Sequence, residues 1–406
     1  MTQKGFDIAV IGAGPAGMTA AYHAARRGRR VVLIDRAKPP GAKILLSGGG
    51  RCNVLPRQVE ASSYTTDSSP HTLRKILLSW PLPEVRAFLE GPVGLRLTED
   101  RKTGKVYPFA GGGKEVRDRL LAAARGAGAE LRTGRRVVDL QPDERRSVVL
   151  EDGEGILAGR VVLATGGLSY PETGSDGTGL EIARRLGHSL VEPYPALVAL
   201  RSRNVAHHAL AGLSLPVALR VGEGREAVEA QGDFLFTHRG YSGPVVLNLA
   251  HRAARALQAG ERLPITVSWG AKSEPEWIEI LSSPRGRTLR ALLRQALPDR
   301  LVVLLLEELG LVSRRGAELR GPERRSLLQA LTAYRLTWRR AGGFDEAEVT
   351  GGGVPLAEVD PKTLESRLSP RVHFAGEILD AFGPIGGTNF LWAFVTGKLA
   401  GEGAAG

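Results

Sequence analysis

The apolar positions fall into two periods along the chain. Residues 6–11 alternate into a short strand, Ala16 to Arg27 read as an alanine-rich helix, and Val31 to Ile34 form a second strand that Asp35 ends. Together they make a strand–helix–strand unit of about 30 residues, since a parallel strand pair needs a helical crossover. Further on, 72–90 is helical with an interruption near Pro81 and Pro83, and Lys114 to Arg125 is an amphipathic helix. Ala129 to Leu140 and Ser147 to Leu150 read as strands, and Arg160 to Ala164 is a strand that stops at Thr165-Gly166-Gly167. Near 195 the texture changes. Short strands dominate from 196 to about 268, with turns at 222–224 and 240–243. From about 274 to 332 the pattern is helical, and Tyr334 to Arg340 reads as a strand returning to the β-rich region. After the glycines at 351–353 the first character resumes, with a strand at Val372 to Ala375 and a helix from Asn389 to Leu399.

At 406 residues the chain exceeds the roughly 250–300 that one core supports, so two or three domains are expected. One cysteine, Cys52, rules out a disulfide framework and a thiolate-rich zinc site. No metal site is expected, and a reducing, cytoplasmic setting follows. The first strand lacks the features of a signal peptide. The most apolar later run, Leu301 to Leu306, is far short of the roughly 20 residues that span a bilayer, so no membrane segment is expected. The net charge of +12 is scattered and accompanies no recognised nucleic-acid motif. It reads as a solvated arginine-rich surface, partly serving an anionic cofactor, with no nucleic-acid partner. The sequence leaves the oligomeric state open.

The chemistry sits at glycine turns. In Gly12-Ala13-Gly14-Pro15-Ala16-Gly17 the first glycine permits the turn and the second lets backbone approach a pyrophosphate. The third allows close helix–strand packing, and the phosphate sits on the helix N-terminus. Asp35, with Arg36 beside it, is placed to accept hydrogen bonds from a ribose. Lys43 precedes Ser47-Gly48-Gly49-Gly50-Arg51-Cys52-Asn53, whose glycines can form an anion-binding nest with Ser47, Arg51 and Asn53 as polar arms. Cys52 reads as a small packed side chain, since one thiol cannot form a dithiol pair. Val138 and the strand end Ala164-Thr165-Gly166 are further expected contacts, because ligands sit outside the carboxyl ends of such strands. The last group is Gly376 and Glu377, then Gly386-Gly387-Thr388-Asn389 opening a helix whose N-terminus can stabilise negative charge on a reduced flavin.

These residues resemble the aminoacetone oxidase-like, BaiN-type family of FAD-binding flavoproteins, with the stretches at 47–53 and 163–171 its most specific marks. The resemblance covers nearly the whole chain. It implies an α/β fold: a two-segment Rossmann-like FAD-binding domain (1–195 and 346–406), an inserted β-barrel-like domain (196–271 with a return strand at 334–345) and a small helical domain (272–333). It also implies tight, non-covalent FAD. Thr388 stands where relatives often carry tyrosine, so substrate preference does not carry over.

The resulting expectation is an enzyme that passes a hydride between FAD and a small organic substrate, as an ene-reductase or an amine oxidase. The chain has no second dinucleotide turn, so NADH or NADPH would serve as a transient donor at the open flavin face. A tRNA-modifying flavoprotein and a non-catalytic flavin sensor are the alternatives. Tyr170 and His238 are the candidates for proton transfer, and the loop around His238 is expected to reach the site from the insert. Released flavin should run as FAD on chromatography after heat treatment, because FMN has no adenosine half for Asp35 and the pyrophosphate turn to engage. Recovery of FMN alone contradicts this reading.

Overall fold

A computed structural model describes residues 5–101, 103–141, 146–282 and 286–406. The chain divides into two compact units, Met1–Pro195 with Ala347–Gly406, and Ala196–Glu346.

In the first unit, β1 (Phe6–Ile11) lies between β2 (Val31–Asp35) and the long strand Gly155–Leu163. All three run parallel, with Val10 opposite Leu33 on one side and Val162 on the other. Glu130–Thr133 extends the sheet beyond β2. Val372–Phe374 lies parallel to the C-terminal half of Gly155–Leu163, and Arg146–Leu150 pairs antiparallel with its N-terminal half. The central strands are apolar and buried over Ile8–Ile11, Val31–Ile34 and Val161–Leu163 because both faces are covered there, as parallel sheets require. The segment 129–140, expected to be a strand, is two strands. Gly134 at φ 66 turns the chain, so Glu130–Thr133 joins β2 while Val137–Gln141 joins the antiparallel hairpin.

The helix α1 (Pro15–Arg26) is packed by Thr388–Ala405. Small residues allow the approach: a Cβ on Gly397 would lie 2.4 Å from the Ala16 carbonyl oxygen, and one on Gly401 would lie 2.3 Å from that of Ala20. Arg29 and Arg160 donate to the carbonyl oxygens of Ala405 and Ala404, where a helix carries partial negative charge. The two ends of the chain thus share one core.

The second unit is built on seven strands. Ser214–Val221 pairs antiparallel with Val228–Thr237 and with Ile265–Trp269, and Tyr334–Arg335 returns to pair with Ile265–Trp269. Between the strands lies the helix Pro244–Gln258, in a region read from sequence as strands. Its apolar residues Val245, Val246, Leu249, Ala250, Ala253 and Ala254 follow helical spacing, and Pro244 takes the first turn, where its missing N–H costs nothing. No described helix is long and apolar enough to cross a membrane. No described cluster of His, Cys, Asp or Glu could hold a metal ion.

Burial holds several histidines in the neutral form. His23, against Trp80, Phe88 and Tyr22, is pushed down to about 3 by burial, with Lys398 and Arg27 opposing its charge. Glu402 stands 3.4 Å from its ring, but Arg27 already engages that carboxylate, so burial prevails. His207 and His251 are each lowered to about 4, again by burial first. Below the ordinary value of 6.5 the unfolded chain takes up protons that the fold refuses, so stability falls as pH drops. Urea unfolding between about pH 6 and pH 5 should lose up to about 1.4 kcal/mol per pH unit for each such histidine. His23→Phe should remove one such contribution from the first unit, and an unchanged slope in that variant would refute the assignment.

Candidate functional site

A cavity of about 580 Å³ opens at the carboxyl ends of the parallel strands. All its lining residues come from the first unit. One wall is the turn after β1. Gly12 takes φ 97, which only glycine adopts without strain, and Gly14, Pro15 and Ala16 face the cavity. A Cβ placed on Gly14 would meet nothing within 4 Å, whereas one on Gly17 would lie 1.8 Å from the Gly12 carbonyl oxygen. Gly14 therefore keeps space open for a ligand, and Gly17 keeps helix and turn together. Ala13 is buried, and its N–H donates to Asp35 Oδ2 at 2.6 Å, while Ala37 N–H donates to Oδ1 at 2.7 Å. These bonds aim the Asp35 carboxylate at the cavity, and burial raises its pKa against them.

Arg36 bonds Asp176, which also accepts from Arg136 at 2.9 Å; all three residues line the cavity with Arg135. This is a cationic end suited to an anionic nucleotide. Along the next wall, Gly48, Gly49 and Gly50 are all left-handed, at φ 55, 64 and 88. Ser47, Gly48, Gly49 and Asn53 face the cavity. Cys52 is fully buried, and burial pushes its thiol up to about 11, out of reach of thiolate chemistry at neutral pH.

Lys43, Ser169, Thr350 and Glu377 form one polar network across the strand ends. Lys43 Nζ lies 2.6 Å from Glu377 Oε2 and bonds the Ser169 hydroxyl. The Ser169 hydroxyl and Thr350 N–H donate to Glu377 Oε1 at 2.7 and 3.0 Å. Burial works to raise the Glu377 carboxyl, but the Lys43 charge and these hydrogen bonds win and hold it below the usual glutamate value. Gly376 is fixed from the opposite side: its N–H donates to Thr396 Oγ1 and its carbonyl accepts from Trp392 Nε1.

The structure brings most of the residues singled out from sequence to this one cavity, including Ala164, Thr165, Gly166, Tyr170, Gly386, Gly387 and Asn389. Others lie elsewhere. Val137 lines the cavity rather than its neighbour Val138, whose carbonyl accepts from Arg185. The Arg51 guanidinium lies 4.3 Å from the centre of the Tyr107 ring instead of lining the cavity. Thr388 turns its hydroxyl back to the Pro384 carbonyl. His238 belongs to the second unit, in the turn between Val228–Thr237 and Gly240–Ser242. Lys105, Tyr107 and Glu348 line the cavity but were not singled out. They come from short strands or strand edges with no glycine signature of their own.

The residues fit a flavin adenine dinucleotide. The open space over Gly14, the helix N-terminus behind it, the ribose acceptor Asp35 and the cationic end near Arg36 match its pyrophosphate and adenosine halves.

A family model described as the HI0933-like protein Rossmann domain matches residues 6–403. The 3-dehydro-bile acid delta(4,6)-reductase of Clostridium scindens is 32% identical over 408 residues, covering 98% of each chain. The ribosomal RNA dihydrouridine synthase of Escherichia coli is 31% identical over 402 residues, covering 96% of this chain and 95% of that one. Among solved structures, 3-ketosteroid delta1-dehydrogenase from Sterolibacterium denitrificans, in complex with 1,4-androstadiene-3,17-dione, shares the fold. Its TM-score is 0.52 at 13% identity, covering 98% of this chain and 99% of that one.

Two glycine variants separate binding from folding. Gly14→Val should keep native circular dichroism and lose FAD, because the side chain enters the ligand's space. Gly17→Val should lose soluble, folded protein, because it strikes the Gly12 carbonyl. Wild-type flavin content in Gly14→Val would contradict the assigned pyrophosphate turn.

Proposed function

We propose that this chain, which belongs to the HI0933-like Rossmann family and is an FAD-dependent oxidoreductase, reduces a carbon–carbon double bond polarised by a neighbouring carbonyl. One observation carries the reading. Two relatives that match over nearly full length have unlike substrates, a bile acid and ribosomal RNA, yet both names describe hydrogen added across such a bond. FAD, once reduced, supplies the hydride.

The chain's own residues do the rest. The glycine turn and helix N-terminus bind the pyrophosphate, and Asp35 orients the adenosine ribose. The network of Lys43, Ser169 and Glu377 sets a fixed charge pattern beside the cavity, so little reorganisation accompanies reaction. Proton delivery falls to acids on the cavity wall, among which Tyr170 carries a phenol. A nicotinamide serves as transient electron donor, in keeping with a single dinucleotide turn in the sequence.

A second reading makes the acceptor a uracil within RNA. The net charge of +12 and the match to a ribosomal RNA dihydrouridine synthase favour it.

One anaerobic experiment tests both. Flavin is bleached with NADH or NADPH, then mixed with cyclic enones, a 3-keto-4,6-diene steroid acid or unmodified ribosomal RNA transcript. Reoxidation by an enone or the steroid supports the first reading, and salt-sensitive dihydrouridine formation supports the second. A flavin that none of these reoxidises, but that an amine bleaches and oxygen restores with hydrogen peroxide, would overturn the reductase reading in favour of an oxidase.

A further inference from the structure

We propose that Glu348 is the catalytic acid of this reduction, giving its proton to the carbon next to the substrate carbonyl. The inference rests on the reductase reading above. Among the described residues four carboxylates line the cavity: Asp35, Asp176, Glu348 and Glu377. Three are committed to the protein. Asp35 accepts two backbone N–H groups, Asp176 bridges Arg36 and Arg136, and Glu377 holds Lys43. Among the described residues Glu348 has no hydrogen-bond or ion-pair partner, and its side chain opens to the solvent of the cavity. It stands at the head of the strand Val349–Gly353, two residues before Thr350, whose N–H is bonded to Glu377. The backbone that carries it is therefore pinned while its carboxyl remains available.

The charges near it are those of Lys105 and Lys43. Burial raises the carboxyl above the ordinary glutamate value against both. A bound anionic dinucleotide pushes it the same way. Tyr107 and Tyr170, the phenols on the cavity wall, both have interactions within the fold, Tyr107 beneath the Arg51 guanidinium, and a phenol is a much weaker acid than a carboxyl.

The atoms balance. A hydride with its electron pair arrives at the far carbon of the double bond from flavin reduced by a nicotinamide or another two-electron donor. The π pair moves toward the carbonyl as an enolate. The Glu348 O–H bond breaks, its proton bonds to the near carbon, and the carboxylate recovers a proton from cavity water. The substrate gains two electrons and two hydrogens.

The test uses FAD-loaded protein, reduced anaerobically and mixed with 2-cyclohexenone or with 1-nitrocyclohexene, with rates taken per bound flavin. Hydride addition to a nitroalkene leaves a nitronate that is stable without a catalytic proton. Glu348→Gln should slow enone reduction about 100-fold or more and keep nitroalkene reduction within about threefold of wild type. In apoprotein labelled with ¹³C at glutamate carboxyls, one resonance titrating above the ordinary glutamate range should vanish in the variant. Equal loss on both acceptors, no loss on either, or no change in the NMR titration would each overturn the assignment. So would Tyr170→Phe losing only enone reduction while Glu348→Gln retains it. Wild-type protein inert to both acceptors as well as to the steroid and RNA would instead overturn the reductase reading, with the NMR titration still deciding the Glu348 carboxyl.

Discussion

Two carbonyl oxygens, those of Gly12 and Ala164, set the spacing on which the first unit depends. A Cβ on Gly12 would lie 2.4 Å from the Ala164 oxygen, just as one on Gly17 would invade the Gly12 oxygen. Backbone thus packs on backbone where a strand end, a turn and a helix start converge. Side chains at these points would force α1 outward, at a cost of about 1–3 kcal/mol or more for overpacking. They would also carry the helix N-terminus away from the cavity it is meant to charge. The same device recurs on the other side of α1, where Gly397 and Gly401 let the last helix press on Ala16 and Ala20.

That closeness explains how residues more than 300 positions apart act together. Lys43 reaches Glu377 because the strand ends from both segments lie side by side, Val162 opposite His373. The loop carrying Glu377 is held on one side by Lys43 and Ser169 and on the other by Thr396 and Trp392. Its carboxylate is therefore fixed rather than merely present. The half-buried pair is tolerated because hydrogen bonds satisfy both partners, which a lone charge there could not achieve.

Much of this was legible in the sequence, for a physical reason. Turns that bind phosphate need glycine, and glycine at fixed spacing between a strand and a helix is hard to mistake. So β1, α1, β2 and the cavity positions from Gly12 to Asn53, Arg51 excepted, read directly. The break at Gly134 did not, because one glycine inside a strand-like stretch looks like a tolerated defect until its φ is known. The helix Pro244–Gln258 was hidden among strands by its β-branched start, although its spacing was helical. Lys105, Tyr107 and Glu348 were invisible for a third reason. Each reaches the cavity through pairing of distant segments, which leaves no local mark.

The split of the first unit also has a temporal meaning. A ribosome delivers residues 1–195 first, with α1 in place and its Ala16–Ala20 face bare. The helix that covers it, Thr388–Ala405, emerges only after the whole second unit has been made. At about 5–20 residues per second that interval is roughly 10–40 s. Throughout it the nucleotide site lacks Gly376, Glu377 and Asn389, and an apolar helix face waits for its partner. The nucleotide cavity is therefore completed only after the second unit has been made.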